Sequence, residues 1–391
     1  MKYLIKKITI CLALNFCFTN IHAQVSLLKK AIDKIDVAKN LSYLSVDMFK
    51  NPASNDTTIY QNNAAFLKMP NDSIYGYLFK IKQKELVGLL KGAISIDTYD
   101  GQDIMNVDFN DSTYHINRPD IHYFNFKTSL PGNLKWMEGI LNNSPSKITQ
   151  VGDTTINSSV CHHFIFNLYD SIIDKKRMYH NLHLFIDKLS ELPTCIIFEG
   201  ISKLSEGMYF IDYNEYHYSN YIFNQDNFNI VSATIPNGFH PPRKQSSLLA
   251  QGTIAPDWTL YSTDGKKLSL SELKGKVVLL DFSFIGCGNC MAALKPMNSL
   301  HEKYKMKNVV IASIFFRDKS EIVKKFVKDY NIKYPVYVDA TSEVTKLYHV
   351  PGGPYFYFID KEGKIEKVIE GYYSGVFEEK TSSIIDNLLN K

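Results

Sequence analysis

The tightest constraint on the fold lies between Val277 and Phe284. This run is apolar except for Asp281 and Ser283, which suits a strand buried on both faces. Three residues later comes Cys287-Gly288-Asn289-Cys290, and a helical pattern follows to Tyr304. A thiolate is the nucleophile in sulfur exchange, and a free thiol is mostly protonated at neutral pH. The first turn of a helix leaves backbone N–H groups without partners, and the aligned peptide dipoles add positive potential there. Cys287 sits at that end and reads as the attacking sulfur. Cys290 lies one turn further in, near enough to close a disulfide and to resolve a mixed one. Zinc would need two more ligands, yet no second CxxC or HxxxH lies nearby, and His301 and His349 are isolated. No metal and no cofactor are expected. The plainer alternative is a structural disulfide; the strand-to-helix context favours redox use.

The segments around the pair alternate between strand and helix. Val309 to Phe316 is a second apolar strand, and Asp318 with Glu321 is expected to form a capping box for a helix from Glu321 to Tyr330. Pro335 to Val338 reads as a short strand and Glu343 to Tyr348 as a short helix. Tyr355 to Ile359 and Lys364 to Ile369 form a hairpin, and a helix closes the chain. The order implies an α/β sheet with parallel crossovers.

At 391 residues the chain is too long for one ordinary core, so two domains are expected. Val25 to Leu41 carries Leu28, Ile32, Ile35 and Leu41 at helical spacing. From there to about Ile235 the chain is rich in Tyr, Phe, Ile and Thr, with short alternating runs at Ser42 to Met48, Ser73 to Ile81, His162 to Leu168 and Leu182 to Ile186. Turn signals at Pro70-Asn71-Asp72, Asp100-Gly101 and Asn110-Asp111 separate them. Such alternation argues a largely antiparallel sheet with one covered face, and a helix near Asn133 to Leu141 is placed to cover part of it. Cys161 and Cys195 either bridge or remain as two buried free thiols. His162 and His163 point to opposite faces of a strand, which argues against a joint metal site. His240-Pro241-Pro242-Arg243-Lys244-Gln245-Ser246-Ser247 reads as a linker. The expected organisation is a leader at 1–23, a mainly β domain at 24–240, a linker at 241–250 and an α/β domain at 251–391.

The leader reads as a secretory signal peptide. Lys2, Lys6 and Lys7 precede an apolar run from Ile8 to Phe18, too short to span a bilayer, and Ile21-His22-Ala23 offers a cleavage site before Gln24. Those lysines supply three of the four net positive charges, so the mature chain is close to neutral and excludes a nucleic-acid surface or a polybasic membrane patch. A periplasmic or otherwise exported protein of the cell envelope is expected, without a transmembrane anchor once the leader is cut, in a compartment where disulfides persist.

From Gly252 onward the sequence resembles the TlpA/ResA-like branch of thioredoxin-fold proteins. The resemblance rests on Gly252-x-x-Ala255-Pro256-Asp257-Trp258, on Gly265-Lys266-x-Leu268-Ser269-Leu270-x-x-Leu273-Lys274-Gly275-Lys276-Val277-Val278, on the cysteine pair, and on Val350-x-x-Gly353-Pro354 before Tyr355 to Asp360. It implies a thioredoxin-like C-terminal domain after a mainly antiparallel N-terminal one. It also implies a cis-proline at Pro354 which, with Gly353, faces the two sulfurs and holds an extended substrate. Asp281 falls at the buried acid that this fold uses near the resolving cysteine, which implies either a proton acceptor for Cys290 or a structural acid satisfied by its neighbours. The sequence departs from the family at Gly286, where Trp is common, at Ala293, where Glu is common, and at Gly353, where a β-branched residue is common. The N-terminal region more weakly resembles LolA-like envelope sheet proteins.

The function that follows is an exported thiol–disulfide oxidoreductase that reduces or isomerises protein disulfides. Its partners are protein thiols and disulfides and a redox partner in the envelope. The Gly-Asn dipeptide has no histidine to stabilise the thiolate, which favours reductase or isomerase over strong oxidant. The alternative is an envelope binding or carrier protein that uses the thioredoxin-like domain as scaffold. A peroxiredoxin would need a Thr-x-x-Cys loop, which Ser283-Phe284-Ile285-Gly286-Cys287 does not supply.

Overall fold

The computed structural model describes residues 26–51, 56–88, 90–205, 208–230, 232–242 and 247–391. The expected leader and residues 243–246 of the expected linker lie outside them. The chain divides into two compact units. Unit one runs to Lys50, from Thr57 to Ile201 and from Asp212 to Pro242; unit two comprises Asn51–Asp56, Ser202–Ile211 and Arg243–Lys391.

Unit one opens with helix α1 over residues 26–36, which buries Leu28, Ile32 and Ile35 as their spacing predicts. Leu41 is not part of this helix. It belongs to a strand, in the period-two series Leu41, Tyr43, Ser45, Asp47, all buried. The strands are β1 (Asn40–Lys50), β2 (Thr57–Lys68), β3 (Tyr77–Val87), β4 (Ile94–Tyr99), β5 (Ile104–Asp108) and β6 (Thr113–Asn117), then β7 (Ile148–Ile156), β8 (Ser159–Ile173), β9 (Lys176–Asp187), β10 (Pro193–Ser205) and β11 (Met208–Phe223). They form one sheet in the order β6-β5-β4-β3-β2-β1-β11-β10-β9-β8-β7. Two antiparallel meanders meet where β1 pairs with β11. Between them lie α2 (Phe124–Lys127) and α3 (Leu130–Asn143). Ser129 caps α3, its Oγ accepting from Gly132 N–H at 3.3 Å. Leu130, Leu134, Met137 and Leu141 pack with α1 against Phe66, Phe79, Phe164 and Phe166, so one face of the sheet is covered. Cys161 on β8 and Cys195 on β10, separated by β9, are both buried free thiols.

Unit two contains the short pair β12 (Thr259–Tyr261) and β13 (Lys267–Ser269), then β14 (Val277–Ser283), α4 (Gly288–Tyr304), β15 (Val309–Phe316), α5 (Ser320–Asp329), β16 (Val336–Asp339), α6 (Glu343–Leu347), β17 (Tyr355–Ile359), β18 (Ile365–Glu370) and α7 (Phe377–Asn390). Five strands form a sheet in the order β16-β15-β14-β17-β18, with β14, β15 and β16 parallel and β17 and β18 antiparallel. This is a thioredoxin-like α/β architecture. β14 is central and buried at every residue, as its apolar run requires. Val277 and Leu279 face a core built with α4, α5 and α7; Val278, Leu280 and Phe282 face a second core with Trp258, Val344 and Tyr348. Asp281 points to the α4 side, because side chains alternate along a strand. No helix among the described residues is long and apolar enough to cross a membrane.

Candidate functional site

β14 ends at Ser283, and the next four residues turn the chain into α4. The turn uses Gly286 at φ +91°, a conformation that L side chains rarely adopt. Cys287 is the N-cap residue of α4, on extended backbone at φ −79° and ψ 111°. Its Sγ accepts a hydrogen bond from Cys290 N–H at 3.1 Å, and its carbonyl accepts from Met291 N–H at 2.9 Å. The sulfur therefore occupies the acceptor place that a serine or aspartate oxygen takes at other helix starts. Cys287 and Cys290 are joined as a disulfide across a Cα separation of 5.2 Å. Cys287 is half-buried and Cys290 is buried. A purely apolar environment would oppose a thiolate, whereas this cap offers one of the two sulfurs a donor and partial access to solvent.

The turn before β17 approaches the pair from the other side. The Gly353–Pro354 peptide is cis, and the Gly353 carbonyl oxygen lies 3.4 Å from Cys287 Sγ. A Cβ added at Gly353 would meet Cys290 Sγ at 3.0 Å, with Phe282 O and Phe284 Cδ1 both at 3.2 Å. A side chain at 353 would be tightly packed there, and its neighbours would have to give by a few tenths of an ångström.

Asp281, on β14 and six residues before Cys287 in the chain, is buried. Parallel register sets it opposite Ser313 on β15. Ser313 Oγ donates to its Oδ2 at 2.6 Å, and Ser283 Oγ lies 2.7 and 2.8 Å from its two oxygens. Burial pushes the carboxyl up to about 6, and the two hydroxyl donors pull against that rise. The sequence singled out the acid but not the serines, because the pairing of Ser313 with Asp281 exists only once two strands far apart in the chain adopt register.

Asp318 does not cap the helix after β15. The N-cap of α5 is Lys319, and no side-chain cap bond forms there. The Asp318 carboxylate instead accepts from Ile285 N–H at 3.0 Å. Asn51 Nδ2 donates to the Ile285 carbonyl at 3.3 Å. Neither contact left a signal in the linear pattern.

Among known proteins, the AhpC/TSA family model matches residues 251–368. Thiol-disulfide oxidoreductase ResA of Bacillus thuringiensis subsp. konkukian is 33% identical over 161 residues, spanning 41% of this chain and 87% of its own. The chain belongs to the ResA-like thiol–disulfide oxidoreductases. ResA of Bacillus cereus strain ZK is 36% identical over 140 residues, covering 36% of this chain and 79% of that one. A crystal structure of a thioredoxin-family thiol:disulfide interchange protein from Chlorobium tepidum is 26% identical, covering 36% of this chain and 98% of that chain at a TM-score of 0.33. The ResA-like likeness coincides with the part of the chain that carries β14, the cysteine pair and Gly353-Pro354.

Two outcomes follow. The folded Asp281 carboxyl keeps its proton to about pH 6, while an unfolded aspartate keeps it only to 3.8. Between these values the folded state holds the extra proton, so stability falls as pH rises through the window and the loss is complete above it. Asp281→Asn removes that contribution. From pH 4 to pH 7 the variant is expected to lose less stability than wild type, by on the order of 3 kcal/mol, read as urea midpoints at the two pH values. Gly353→Ala forces backbone or the Cys290 sulfur to move and is expected to cost about 1–3 kcal/mol in the same denaturation.

Proposed function

We propose that this oxidoreductase is exported and reduces or isomerises protein disulfides, with Cys287 as the attacking sulfur and Cys290 as the resolving one. The observation that carries the proposal is the half-buried Cys287 at the N-cap of α4, with Cys290 N–H donating to its sulfur. In the reduced state that donor and the helix end face a thiolate. A hydrogen bond to a charged group is worth about 1.5–3 kcal/mol, and the dipole adds about 0.3–1 kcal/mol. Either alone changes a population severalfold, and together they favour ionisation at Cys287 over Cys290.

The exchange balances as follows. The Cys287 thiolate attacks one sulfur of a client disulfide, and the other client sulfur leaves as a thiolate that takes up a proton. Cys290 loses its proton and attacks Cys287 in the mixed disulfide. The second client sulfur leaves, and the Cys287–Cys290 disulfide remains. Two electrons have passed to the client, and a reduced dithiol partner in the envelope restores them. Asp281 is the candidate acceptor for the Cys290 proton, a role that its raised pKa near 6 favours. Gly353 and Pro354 are the candidate seat for the client backbone, since the Gly353 carbonyl already lies beside Cys287 Sγ.

Export rests on the charged and apolar pattern of residues 1–23. The organisation that goes with it is a mainly β domain at 24–240, a linker at 241–250 and the thioredoxin-like domain at 251–391.

In an insulin-type reduction assay, Cys287→Ala is expected to lose all activity above background. Cys290→Ser, expressed in the native host, is expected to accumulate clients bound through Cys287, detected as adducts that reductant releases. Wild-type protein without thiol exchange would favour the carrier alternative. Exchange without trapped proteins would remove protein disulfides as substrates.

A further inference from the structure

The backbone of Ile285, two residues before Cys287, is held at its N–H and at its carbonyl by side chains from distant parts of the sequence. Its N–H donates to Asp318 Oδ2 at 3.0 Å, from a residue 33 positions away. Its carbonyl accepts from Asn51 Nδ2 at 3.3 Å, from a residue 234 positions away. Both partners belong to unit two. The Ile285 side chain is buried in the core that also holds Met291 and Leu294 of α4. The next residue, Gly286, stands at φ +91°, and a Cβ there would lie 2.7 Å from Asn51 Nδ2 and 3.1 Å from its Cγ and Oδ1. The Asn51 amide thus fills the space that a side chain at 286 would take. Asn51 is itself tied down, its N–H donating to the Asp56 carbonyl at 2.7 Å.

These contacts matter for the sulfur chemistry because of where the turn leads. A glycine in a left-handed conformation is the most freely rotating link between β14 and α4. The position of Cys287 Sγ against the Cys290 N–H depends on the turn holding one conformation. A buried backbone group at Ile285 left without its partner would drive the turn to rearrange, since an unpaired buried polar group costs about 1–3 kcal/mol. We propose that Asn51 and Asp318 are positioning residues for thiol–disulfide exchange: they clamp the backbone on either side of Ile285 and so fix Cys287 at the helix N-cap. The inference rests on the attacking role proposed for Cys287 only where turnover is concerned; the effect on the sulfur itself is measurable without it.

The test uses the full chain, reduced, and measures the rate of Cys287 alkylation by iodoacetamide at pH 7 alongside insulin reduction and the thermal midpoint. The variants separate hydrogen-bond polarity from bulk. Asn51→Asp keeps the shape and removes the donor. Asp318→Ala removes the acceptor, and Asp318→Asn keeps an amide oxygen that can still accept. Misplacing a reacting group by about 1 Å costs roughly a hundredfold, and loss of one of two holds is expected to slow Cys287 alkylation by about tenfold in Asn51→Asp and in Asp318→Ala. Asp318→Asn restores most of that loss relative to Asp318→Ala. The double variant Asn51→Asp with Asp318→Ala loses less than the product of the two single effects, because both act on the backbone of one residue in one turn. Wild-type alkylation rates in Asn51→Asp and Asp318→Ala, with only the thermal midpoint lowered, would overturn the clamp. So would equal losses in Asp318→Ala and Asp318→Asn. If alkylation falls as expected while insulin reduction does not, the clamp stands and the attacking role of Cys287 fails.

Discussion

Helix α4 begins on a sulfur. The exchange proposed for this chain depends on the Cys290 N–H pointing at Cys287 Sγ, a contact that exists because a fully buried strand delivers the chain to one place and a glycine turn redirects it. A helix start always has donors to satisfy. Placing a thiol there converts a general need of helices into a local preference for negative charge. The preference is electrostatic and short-ranged, so it acts on Cys287 and much less on Cys290, which lies one turn in and is buried.

The surroundings keep that geometry narrow. Gly353 brings a backbone carbonyl beside Cys287 Sγ, at a place where a Cβ would lie 3.0 Å from Cys290 Sγ. Asp281, on the strand that leads to the pair, is in a site dry enough to raise its pKa, yet Ser283 and Ser313 supply donors that keep the charged form within reach near neutrality. The Ile285 backbone is held at its N–H and at its carbonyl. Close packing, a tuned acid and a clamped turn all converge on the one place where a covalent bond is expected to change hands.

Much of unit two was legible in the sequence, since its signals are local. The apolar run of β14 left one way to be buried, and the two-residue spacing of the cysteines followed at once by helical periodicity marked the site. The bounds of β15 were read as Val309 to Phe316, which is where the strand lies. The errors share a cause. Leu41 matched a helical spacing by chance, but its own neighbours alternate with period two, and the sheet won. Asp318 with Glu321 fits a capping pattern, yet the carboxylate found the Ile285 amide, a partner that is close only after β14 and β15 pair. The small pair β12 and β13 went unread because three residues are too few to show a period. Ser313 and Asn51 carried no signal for the same reason as Asp318: their value lies in register and tertiary approach, which no linear pattern displays. In unit one the alternation announced an antiparallel sheet with a covered face, but not that β1 would pair with β11 to join two meanders into eleven strands.

The most direct test of the central claim asks which sulfur reacts first. Reduced full-length protein is mixed with excess oxidised glutathione at pH 7, quenched with acid at early times, and mapped by peptide mass spectrometry. The account predicts that the first mixed disulfide sits on Cys287, in excess over Cys290 by at least about tenfold, as roughly 1.4 kcal/mol of preferential stabilisation requires. An adduct that forms first on Cys290, or equally on both, would contradict it.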